Sequence, residues 1–452
     1  MIVYSIIKKS RLEGAHRLDA EYYQPEYLET VKNLERLKAV PIKKVAINPK
    51  RKFKPKEKEF FRYIEISEVD LTTGEYNALE ILGDNAPDRA QWAVKQKDVI
   101  VSTVRPIRNA VSLIREDAKD LVCSSGFAVL ESKEIEPEYL FVYLKSQPIV
   151  KLLDRLTTAT MYPAVTVDDV LNTKIYLGNK DLRQEIKNKA IEAQKELEQS
   201  KSFYSQAEDL LLEELGLKNF KIEEELSYIV NLSEVKSAHR ADAEYFQPKY
   251  LKIENILRKF KQERLEKLSS LISYGTVPTS PYVIENGIPY VKGENLQNCF
   301  IDYSKLVYLE RESTKKLPQK FYLKENDIVI SQMGTVGRAG LVTKEEEGWL
   351  FASFTIRVRL REDVKSFLNP LFVTLFIQNV SRPYYLLRRI AQASVRQNTD
   401  LPTIKDLKIP IFAKSTQQEI ADFVRQSYET HKRAKQLLEE AKQKVEKMIS
   451  GE

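Results

Sequence analysis

The sequence predicts a mixed α+β fold in which one structural unit occurs twice, each copy being a globular domain followed by a long helix. Three observations lead to this prediction. A nineteen-residue segment is repeated, short apolar runs between turn residues indicate strands in both halves, and each half closes with a long stretch that has a coiled-coil stripe. Such an arrangement implies an internal pseudo-two-fold repeat.

The repeated segment opens each half. Ser10–Leu28 and Ser233–Leu251 are identical at twelve of nineteen positions, and their mixed composition makes a chance match a poor explanation. We expect Asp19 and Asp242 to cap a short helix that starts at Ala-Glu-Tyr, and the proline that follows to redirect the chain. We also expect four tyrosines to pack the domains onto the long helices: Tyr22, Tyr27, Tyr245 and Tyr250.

The domain interiors contain strand-like runs but differ in sequence. "KDVIVSTVRPIRNA" (97–110) corresponds loosely to "NDIVISQMGTVGRAG" (326–340), because each has an Asp, an alternating apolar run and then a turn with Pro or Gly. "FFRYIEI", "GIPYVKG" and "FTIRVRL" indicate further strands. The frame is therefore common to both halves, whereas its contents are not.

Each half ends in a long amphipathic helix that begins with a capping pattern, "DLRQEI" (181–186) or "STQQEI" (415–420). Residues spaced alternately by four and three form matching stripes at an offset of 234, and no Gly or Pro interrupts either stripe. About 33 helical residues span roughly 50 Å. The stripes are Ala190, Ala193, Leu197, Ser200, Tyr204, Ala207 and Leu211, and Val424, Ser427, His431, Ala434, Leu438, Ala441 and Val445.

The predicted order along the chain is thus domain, helix, domain, helix. At 452 residues the chain is long enough for two or three domains, each with a sizeable core. We predict a first domain at 1–179, a first long helix at 180–215, a second domain at 216–415 and a second long helix at 416–452. Each domain includes its copy of the repeated segment.

Composition limits the class of protein. The net charge is +7 with a pI near 8.9, which is consistent with a polyanionic partner. Cys123 and Cys299 occupy non-corresponding positions and only three histidines occur, so we expect neither a disulfide nor a metal site, and a reduced, cytoplasmic setting. We find no stretch suited to a membrane span and no export signal.

Catalytic motifs are weak. "GTVGRAG" (334–340) lacks the Gly-Lys-Ser/Thr of a phosphate-binding loop and is interpreted as a turn. "NPLF" (369–372) resembles the Asn-Pro-Pro-Tyr/Phe motif of amino-methyltransferases, but a leucine replaces the second proline, which favours an Asn-Pro turn that begins a helix. Asp88, Asp117 and Lys119 have nuclease-like spacing without a counterpart in the second half, and we attribute this spacing to chance.

The repeated His-Arg-Asp-Glu cluster has a catalytic and a structural interpretation. Catalysis would require a cleft and two copies that act on similar substrates, whereas packing or docking requires neither. We therefore favour a structural or docking role for both copies. The residues are His16, Arg17, Asp19, Glu21, Tyr22, His239, Arg240, Asp242, Glu244 and Tyr245.

Clusters of Lys and Arg, some with Asn or Gln beside them, occur in both domain interiors. Lys and Arg neutralise phosphates, while Arg, Asn and Gln make paired hydrogen bonds to base edges. One such cluster is more often a solvated face, but their presence in both variable domains favours DNA over a small ligand. The candidate DNA-contacting residues are Lys50, Arg51, Lys52, Lys54, Arg105, Arg108, Asn109, Gly334, Thr335, Arg338, Arg388, Arg389, Arg396, Gln397 and Asn398.

The two copies, "HRLDAEYYQPEYL" and "HRADAEYFQPKYL", each lead into a variable domain that ends in "QEI" and a long helix. In this the chain resembles the specificity subunit of type I restriction-modification systems, over its full length and through the repeat architecture more than through any one motif. The resemblance implies two target-recognition domains separated by two antiparallel coiled-coil helices, with the N-terminal segment near the C-terminal helix. Each domain would read one half of a bipartite, gapped DNA target.

The resemblance also implies partners. The chain would bind double-stranded DNA, two methyltransferase (modification) subunits and restriction/translocase subunits, and it would have no catalytic activity of its own. S-adenosylmethionine, ATP and Mg²⁺ would be bound by those partners and none of them by this chain. A spacer of roughly 50 Å would cover about fifteen base pairs. No base-contacting residue carries over by motif, because target-recognition domains vary.

Three other interpretations stay open on the sequence alone. The chain could be the recognition part of another restriction or phage-defence system, which its partner subunits would reveal. A single-chain enzyme with an unrecognised site would methylate or cleave DNA when purified alone. A coiled-coil scaffold for other proteins would lack salt-dependent affinity for DNA.

Overall fold

The computed structural model describes residues 4–15, 17–157, 161–220, 227–278, 281–284, 286–390 and 398–451. The chain forms two compact units. Unit 1 comprises Met1–Leu197 and His431–Glu452, and unit 2 comprises Glu198–Thr430. The division falls within the two long helices, so each unit contains a part of both.

Unit 1 has two four-stranded sheets and a two-stranded ribbon, with helices packed on the sheets. The sheet orders are β2-β9-β6-β7 and β4-β3-β8-β5, and the ribbon is β1-β10. The strands are β1 (Val40–Pro41), β2 (Ala46–Ile47), β3 (Phe60–Ile64), β4 (Leu79–Leu82), β5 (Ala90–Ala93), β6 (Asp98–Ser102), β7 (Val111–Leu113), β8 (Leu121–Ser124), β9 (Phe127–Ser132) and β10 (Lys174–Ile175). The helices are α1 (Lys9–Ala15), α2 (Pro25–Arg36), α3 (Pro137–Lys145), α4 (Gln147–Arg155), α5 (Val167–Asn172) and the long α6 (Lys180–Glu214).

Unit 2 has a similar plan, with one further ribbon and with the fourth strand of its second sheet at the opposite edge. Its four-stranded sheets have the orders β12-β21-β18-β19 and β13-β17-β14-β20, and its ribbons are β11-β22 and β15-β16. The strands are β11 (Gln262–Arg264), β12 (Ser269–Tyr274), β13 (Tyr282–Val283), β14 (Ile288–Val291), β15 (Leu296–Gln297), β16 (Phe300–Ile301), β17 (Val307–Leu309), β18 (Ile328–Ser331), β19 (Ala339–Leu341), β20 (Leu350–Phe351), β21 (Thr355–Leu360) and β22 (Lys408–Pro410). The helices are α7 (Leu232–Ala238), α8 (Pro248–Leu257), α9 (Leu265–Leu268), α10 (Arg311–Thr314), α11 (Glu362–Lys365), α12 (Pro370–Phe376), α13 (Leu387–Arg389), α14 (Leu401–Lys405) and the long α15 (Lys414–Ser450).

The strand β6 and its counterpart β18 are buried on both faces, which explains their uninterrupted apolar sequence. Val99 and Val101 contribute to one core of unit 1, while Ile100 contributes to another. Ile328 and Val329 are divided in the same way in unit 2. Each sheet that contains such a strand is antiparallel, and each unit's second sheet has one parallel pair, β3 with β8 or β14 with β20.

The predicted helix stripes are confirmed within each unit. In unit 1, Ala193 and Leu197 of α6 share a core with Ala434 and Leu438 of α15. Lys189 of α6 forms an ion pair with Glu440, and Glu185 forms one with Lys444, so the partner residue number rises as the α6 number falls. In unit 2, Ala207 and Leu211 share a core with Ile420 and Val424. The two helices are therefore antiparallel neighbours in both units.

The structure confirms the mixed α+β fold class and the strands indicated by the five apolar runs. It also confirms that Asn369 begins a helix: its side chain accepts a hydrogen bond from the Leu371 amide at 2.9 Å, and Pro370 occupies the first turn of α12. Among the described residues, none of the helices combines the length and the apolar character that crossing a membrane would require.

Candidate nucleic-acid interface

Many of the predicted DNA-contacting residues lie in the loop that follows the central strand of each unit. Residues 103–110 form the β6–β7 loop, and residues 332–338 form the β18–β19 loop. Both loops start with the same turn, because the last serine of the strand donates a hydrogen bond two residues ahead. Ser102 Oγ donates to the Val104 carbonyl at 2.8 Å, and Ser331 Oγ donates to the Met333 carbonyl at 3.2 Å.

The β6–β7 loop has a constrained backbone. Arg105 (φ 48°) and Asn109 (φ 61°) both adopt the left-handed conformation, and the 3-10 helix Pro106–Arg108 lies between them. Arginine is rarely found in this conformation, which persists only where neighbouring contacts impose it. Here the Arg105 amide donates to the Pro163 carbonyl at 2.8 Å, which ties the loop to the segment that precedes α5.

A buried lysine holds the far end of this loop. Lys145, at the end of α3, is 2 % exposed, and its Nζ donates to the carbonyls of Leu71 at 2.9 Å and Asn109 at 3.3 Å. In return, Asn109 Nδ2 donates to the Lys145 carbonyl at 2.8 Å. Burial lowers the pKa of Lys145 to about 7, because no carboxylate within hydrogen-bond distance offsets the loss of water. The loop is thus anchored at both ends.

The outer surface of the β6–β7 loop combines basic and apolar groups. The Arg108 side chain is exposed and, within the described residues, carries neither an ion pair nor a hydrogen bond. The Arg105 guanidinium lies 5.7 Å from the centre of the Tyr162 ring. Tyr162 is 69 % exposed and Met161 is 86 % exposed. Guanidinium groups beside exposed aromatic and apolar groups suit contacts with base edges and phosphates.

The β18–β19 loop starts with the same turn but is one residue shorter and has different chemistry. Gly334 (φ 72°) has the left-handed conformation that Arg105 has in unit 1, and Gly337 (φ 78°) also requires it. A Cβ atom on Gly337 would lie 2.9 Å from Arg382 Cγ, so a side chain does not fit there. Thr335, half-buried, shares a hydrogen bond with Ser331 Oγ at 3.1 Å, and the exposed Asn398 pairs with the loop through a β-bridge. Arg338 is the last residue of the loop and is half-buried.

A third group of predicted residues, 50–54, lies beside β5. Lys50, Lys52 and Lys54 are exposed. Arg51 is only 18 % exposed and forms an ion pair with the buried Asp98 at 2.8 Å. A guanidinium already paired in this way is less available to DNA, so the structure gives Arg51 an internal role. The exposed lysines stay candidates for phosphate contact.

The repeated segments form the same cluster in both units, which we name the arginine–tyrosine clamp. In unit 1 it consists of Arg17, Asp19, Tyr22 and Arg155, and in unit 2 of Arg240, Asp242, Tyr245 and Arg388. The first arginine forms a bidentate ion pair with the aspartate, and the shortest N–O distance is 2.6 Å in both units. The same arginine lies 4.8 Å from the centre of the tyrosine ring in both units.

The second arginine of each clamp comes from a helix outside the repeated segment. Arg155 lies 3.9 Å from the Tyr22 ring centre and its Nε donates to the Tyr22 carbonyl at 2.7 Å. Arg388 lies 4.4 Å from the Tyr245 ring centre and its Nε donates to the Tyr245 carbonyl, also at 2.7 Å. Burial lowers the pKa of both arginines from the ordinary value. The structure therefore places Arg388 in the clamp, although we had predicted a DNA contact for it.

The clamp corrects the capping role that we expected for the two aspartates. Asp19 and Asp242 precede 3-10 helices (Ala20–Tyr23 and Ala243–Phe246), but neither carboxylate caps its helix. Each carboxylate is instead occupied by the arginine two residues before it, whose guanidinium donates to both carboxylate oxygens. Tyr22 and Tyr245 contact Arg155 of α4 and Arg388 of α13, and their expected packing on the long helices stays a prediction.

The remaining predicted residues are distributed around these clusters. Glu21 and Glu244 are exposed, and His239 is exposed with a left-handed backbone (φ 52°) that ends α7. Arg389 is exposed and lies 4.0 Å from the Tyr385 ring centre. Three predicted residues lie outside the described part of the chain: His16, Arg396 and Gln397.

Sequence reasoning missed Arg155 and Lys145. Arg155 and Arg388 are 233 residues apart, almost the offset that relates the two helix stripes, so extending the repeat could have identified Arg155. At the same offset Lys145 corresponds to Gln378, whose Oε1 accepts a hydrogen bond from the Ala339 amide at 3.3 Å, just after the β18–β19 loop. In both units, therefore, a polar side chain from a helical segment forms a hydrogen bond with the backbone at or just after the end of the loop.

Across the described residues, His, Cys, Asp and Glu form no group that could hold a metal ion. Both cysteines are free and buried, and burial raises the pKa of the Cys299 thiol to about 12. Neither thiol is thus a ready nucleophile or ligand. The chemistry at the surface of the two loops is that of hydrogen bonding and charge.

Comparison with known proteins shows that one region of the chain matches a protein family. Residues 245–443 match the family model described as the type I restriction modification DNA specificity domain. A curated relative, the type I restriction enzyme HindI specificity subunit of Haemophilus influenzae, is 26 % identical over 104 residues, which are 22 % of this chain. That match spans 23 % of the relative's length, about a quarter.

Solved structures resemble the chain over most of its length at low similarity. The HsdS subunit from Thermoanaerobacter tengcongensis has 21 % sequence identity and a TM-score of 0.33, and the match covers 91 % of this chain and 96 % of that one. The type I restriction-modification S subunit from M. genitalium has 14 % identity and a TM-score of 0.43, with 91 % and 94 % covered. The family match confirms the resemblance to type I specificity subunits, and residues 245–443 contain a DNA specificity domain.

Proposed function

We propose that this chain is the DNA sequence-recognition subunit of a type I restriction-modification enzyme and that each unit reads one half of a bipartite, gapped target. The observation that supports this proposal best is that the two units share much of their structure but differ in the side chains of one loop. The two units share the clamp and the strand order of the sheet that contains the central strand, but the loops after their central strands carry different side chains. Two readers with different base-contacting groups on one frame suit two different half-sites.

The repeated frame also suits partner docking. The clamps have the same residues and almost the same distances in both units, so the surfaces around them would be alike. Two copies of one methyltransferase subunit would need two like surfaces on the chain. In this proposal the chain itself is not catalytic, the restriction/translocase subunits complete the enzyme, and S-adenosylmethionine, ATP and Mg²⁺ are bound by the partners.

Sequencing of methylated host DNA tests the proposal. The chain is co-expressed with the methyltransferase subunit of its own system, and methylated adenines are mapped in the host genome. We expect one asymmetric, gapped motif that appears only when both proteins are present. Methylation by the chain without its partner would contradict a non-catalytic role. A stable complex that leaves the DNA without a motif would contradict sequence recognition.

Exchange of one domain tests the assignment of the half-sites. Residues 31–179 are replaced by the corresponding part of another specificity subunit. We expect one half of the methylated motif to change while the other half stays the same. A chimaera that folds and still methylates the original motif would show that residues 31–179 do not read DNA.

A further inference from the structure

We propose that the β6–β7 loop of unit 1 reads a guanine through Arg108 and that unit 2 has no arginine reader at the corresponding place. This inference rests on the proposed function, since it names the base that one of the two readers recognises. It follows from the positions of the arginines in the loop, from the rigidity of the loop and from the glycines that replace the arginines in unit 2.

The side chain of Arg108 has the properties that a guanine reader needs. A guanidinium can donate two parallel hydrogen bonds to O6 and N7 of guanine in the major groove, provided that it is not already paired. Arg108 is exposed, and within the described residues it makes neither an ion pair nor a side-chain hydrogen bond. Arg51, by contrast, is held by Asp98 and Glu131, and Arg155 is held in the clamp.

The backbone beneath Arg108 is fixed before any ligand binds. Two left-handed residues bound the 3-10 helix that carries it, and Pro106 restricts the same turn. Lys145 Nζ and the Asn109 side chain tie the end of the loop to α3. A fixed loop loses little conformational entropy on binding, which favours discrimination between bases over non-specific attachment. Strain in such loops is typical of sites that bind a ligand.

The neighbours of Arg108 add contacts that a base pair can use. Ile107, Met161 and Tyr162 are exposed apolar side chains of the same region, and Arg105 lies over the Tyr162 ring. Apolar groups contact the thymine methyl, and aromatic rings stack on bases. The segment at 161–162 is joined to the loop by the hydrogen bond from the Arg105 amide to the Pro163 carbonyl.

Unit 2 offers a built-in contrast. Counted from the serine that ends the central strand, the third and sixth residues are Arg105 and Arg108 in unit 1, but Gly334 and Gly337 in unit 2. A Cβ atom on Gly337 would lie 2.9 Å from side-chain carbons of Arg382 and Leu386, and its φ of 78° disfavours any other residue. The β18–β19 loop instead presents Thr335, with Asn398 bridged to the loop, and its one arginine, Arg338, is half-buried at the end of the loop. An arginine contact from these two positions is therefore confined to unit 1.

A base analogue distinguishes a base contact from a phosphate contact. The complex of the full chain with its methyltransferase subunits is titrated with a duplex that contains its methylation motif, and then with duplexes in which 7-deazaguanine replaces each guanine of the half-site assigned to unit 1. 7-Deazaguanine keeps O6 and lacks the N7 acceptor. We expect one replacement to weaken binding by the wild-type complex by roughly tenfold.

The variant Arg108→Gln should bind the native duplex roughly tenfold more weakly and should no longer respond to that replacement. Its methylation motif should accept other bases at the same position, while the half read by unit 2 is unchanged. Arg36→Gln, which alters another exposed arginine of unit 1 on α2, serves as the control and should behave as wild type.

Three outcomes would overturn the inference. The half-site of unit 1 could contain no guanine, 7-deazaguanine could have no effect at any position, or it could weaken wild type and Arg108→Gln equally. In each case the methylation motif itself would still support the proposed function. The absence of any motif in the wild-type complex would overturn the proposed function, and the guanine assignment with it.

Discussion

A buried aspartate stands at the start of the central strand in each unit, Asp98 as the first residue of β6 and Asp327 just before β18, but the arginine that neutralises it differs. Asp98 of unit 1 accepts a hydrogen bond from the Lys95 amide at 2.7 Å, and Asp327 of unit 2 accepts one from the Lys324 amide at 2.8 Å. Asp98 is paired with Arg51, which comes from the segment before β3. Asp327 is paired with Arg359 of the neighbouring strand β21, at 2.6 Å.

Strand register explains why the partners differ. In unit 1 the residue opposite Asp98 on β9 is Glu131, a second carboxylate, so Arg51 pairs with both. In unit 2 the register of β18 with β21 places Arg359 beside Asp327. Both units therefore have the same turn before the central strand and the same buried aspartate. The arginine that pairs with this aspartate comes from a different part of the chain in each unit. The same separation of a constant frame from variable contents holds for the loops that follow.

The largest expected difference between the units concerns removal of these aspartates. Arg357 is 0 % exposed and lies 3.9 Å from Asp327, so Asp327→Asn leaves two arginines without their carboxylate. We expect a loss of about 3–5 kcal/mol in the free energy of unfolding of unit 2. Asp98→Asn should cost unit 1 about 1–3 kcal/mol, because Arg51 keeps Glu131 and partial access to water.

Denaturant unfolding followed by tryptophan fluorescence measures both losses. The chain has two tryptophans, Trp92 in unit 1 and Trp349 in unit 2, so the backgrounds Trp349→Phe and Trp92→Phe report the units separately. Each aspartate variant is compared with its own background. Equal losses of unfolding free energy in the two units, or a larger loss for Asp98→Asn, would contradict the idea that the different arginine partners make the two aspartates unequal in stability.

The second difference concerns how the stability of each unit depends on pH. Lys145 should make the stability of unit 1 depend on pH, and unit 2 has no titrating residue at the corresponding position. The folded pKa of Lys145 is lowered to about 7, whereas an unfolded lysine has a pKa near 10.5. Between these values the unfolded chain holds a proton that the folded chain lacks, so raising the pH stabilises unit 1. We expect a gain of about 1–2 kcal/mol from pH 7 to pH 8.5.

The variant Lys145→Gln copies the residue that unit 2 has at the corresponding position, Gln378. In the Trp349→Phe background it should remove the rise in stability with pH. Gln378 has no titrating group, so this position contributes no such rise in unit 2. A wild-type unit 1 whose stability is flat or falls over this range would contradict the lowered pKa of Lys145.

The sequence predicted the frame better than the site, and particular residues explain why. The helix stripes and β6 follow local periodicity, which the sequence displays directly. Asp19 was expected to cap a helix by local preference, but the nearby Arg17 takes its carboxylate. Arg155 and Lys145 act through contacts with Tyr22 and Leu71, 133 and 74 residues away in the chain. Such long-range pairs leave no periodic pattern in a single sequence.

The smallest expected effect tests the part of the frame that the units share. Tyr22→Leu and Tyr245→Leu each remove a ring whose centre lies within 4.8 Å of two guanidinium groups, at similar distances in the two units. We expect each substitution to cost about 1 kcal/mol in the unfolding free energy of its own unit, as two partly buried cation–π contacts would. The two losses should agree within about 0.5 kcal/mol, because the aspartate keeps its pair with the first arginine in both variants. Single-tryptophan unfolding measures each loss in its own unit. A loss in one unit with no change in the other would show that the clamp, although repeated in sequence and geometry, stabilises only one copy of the frame.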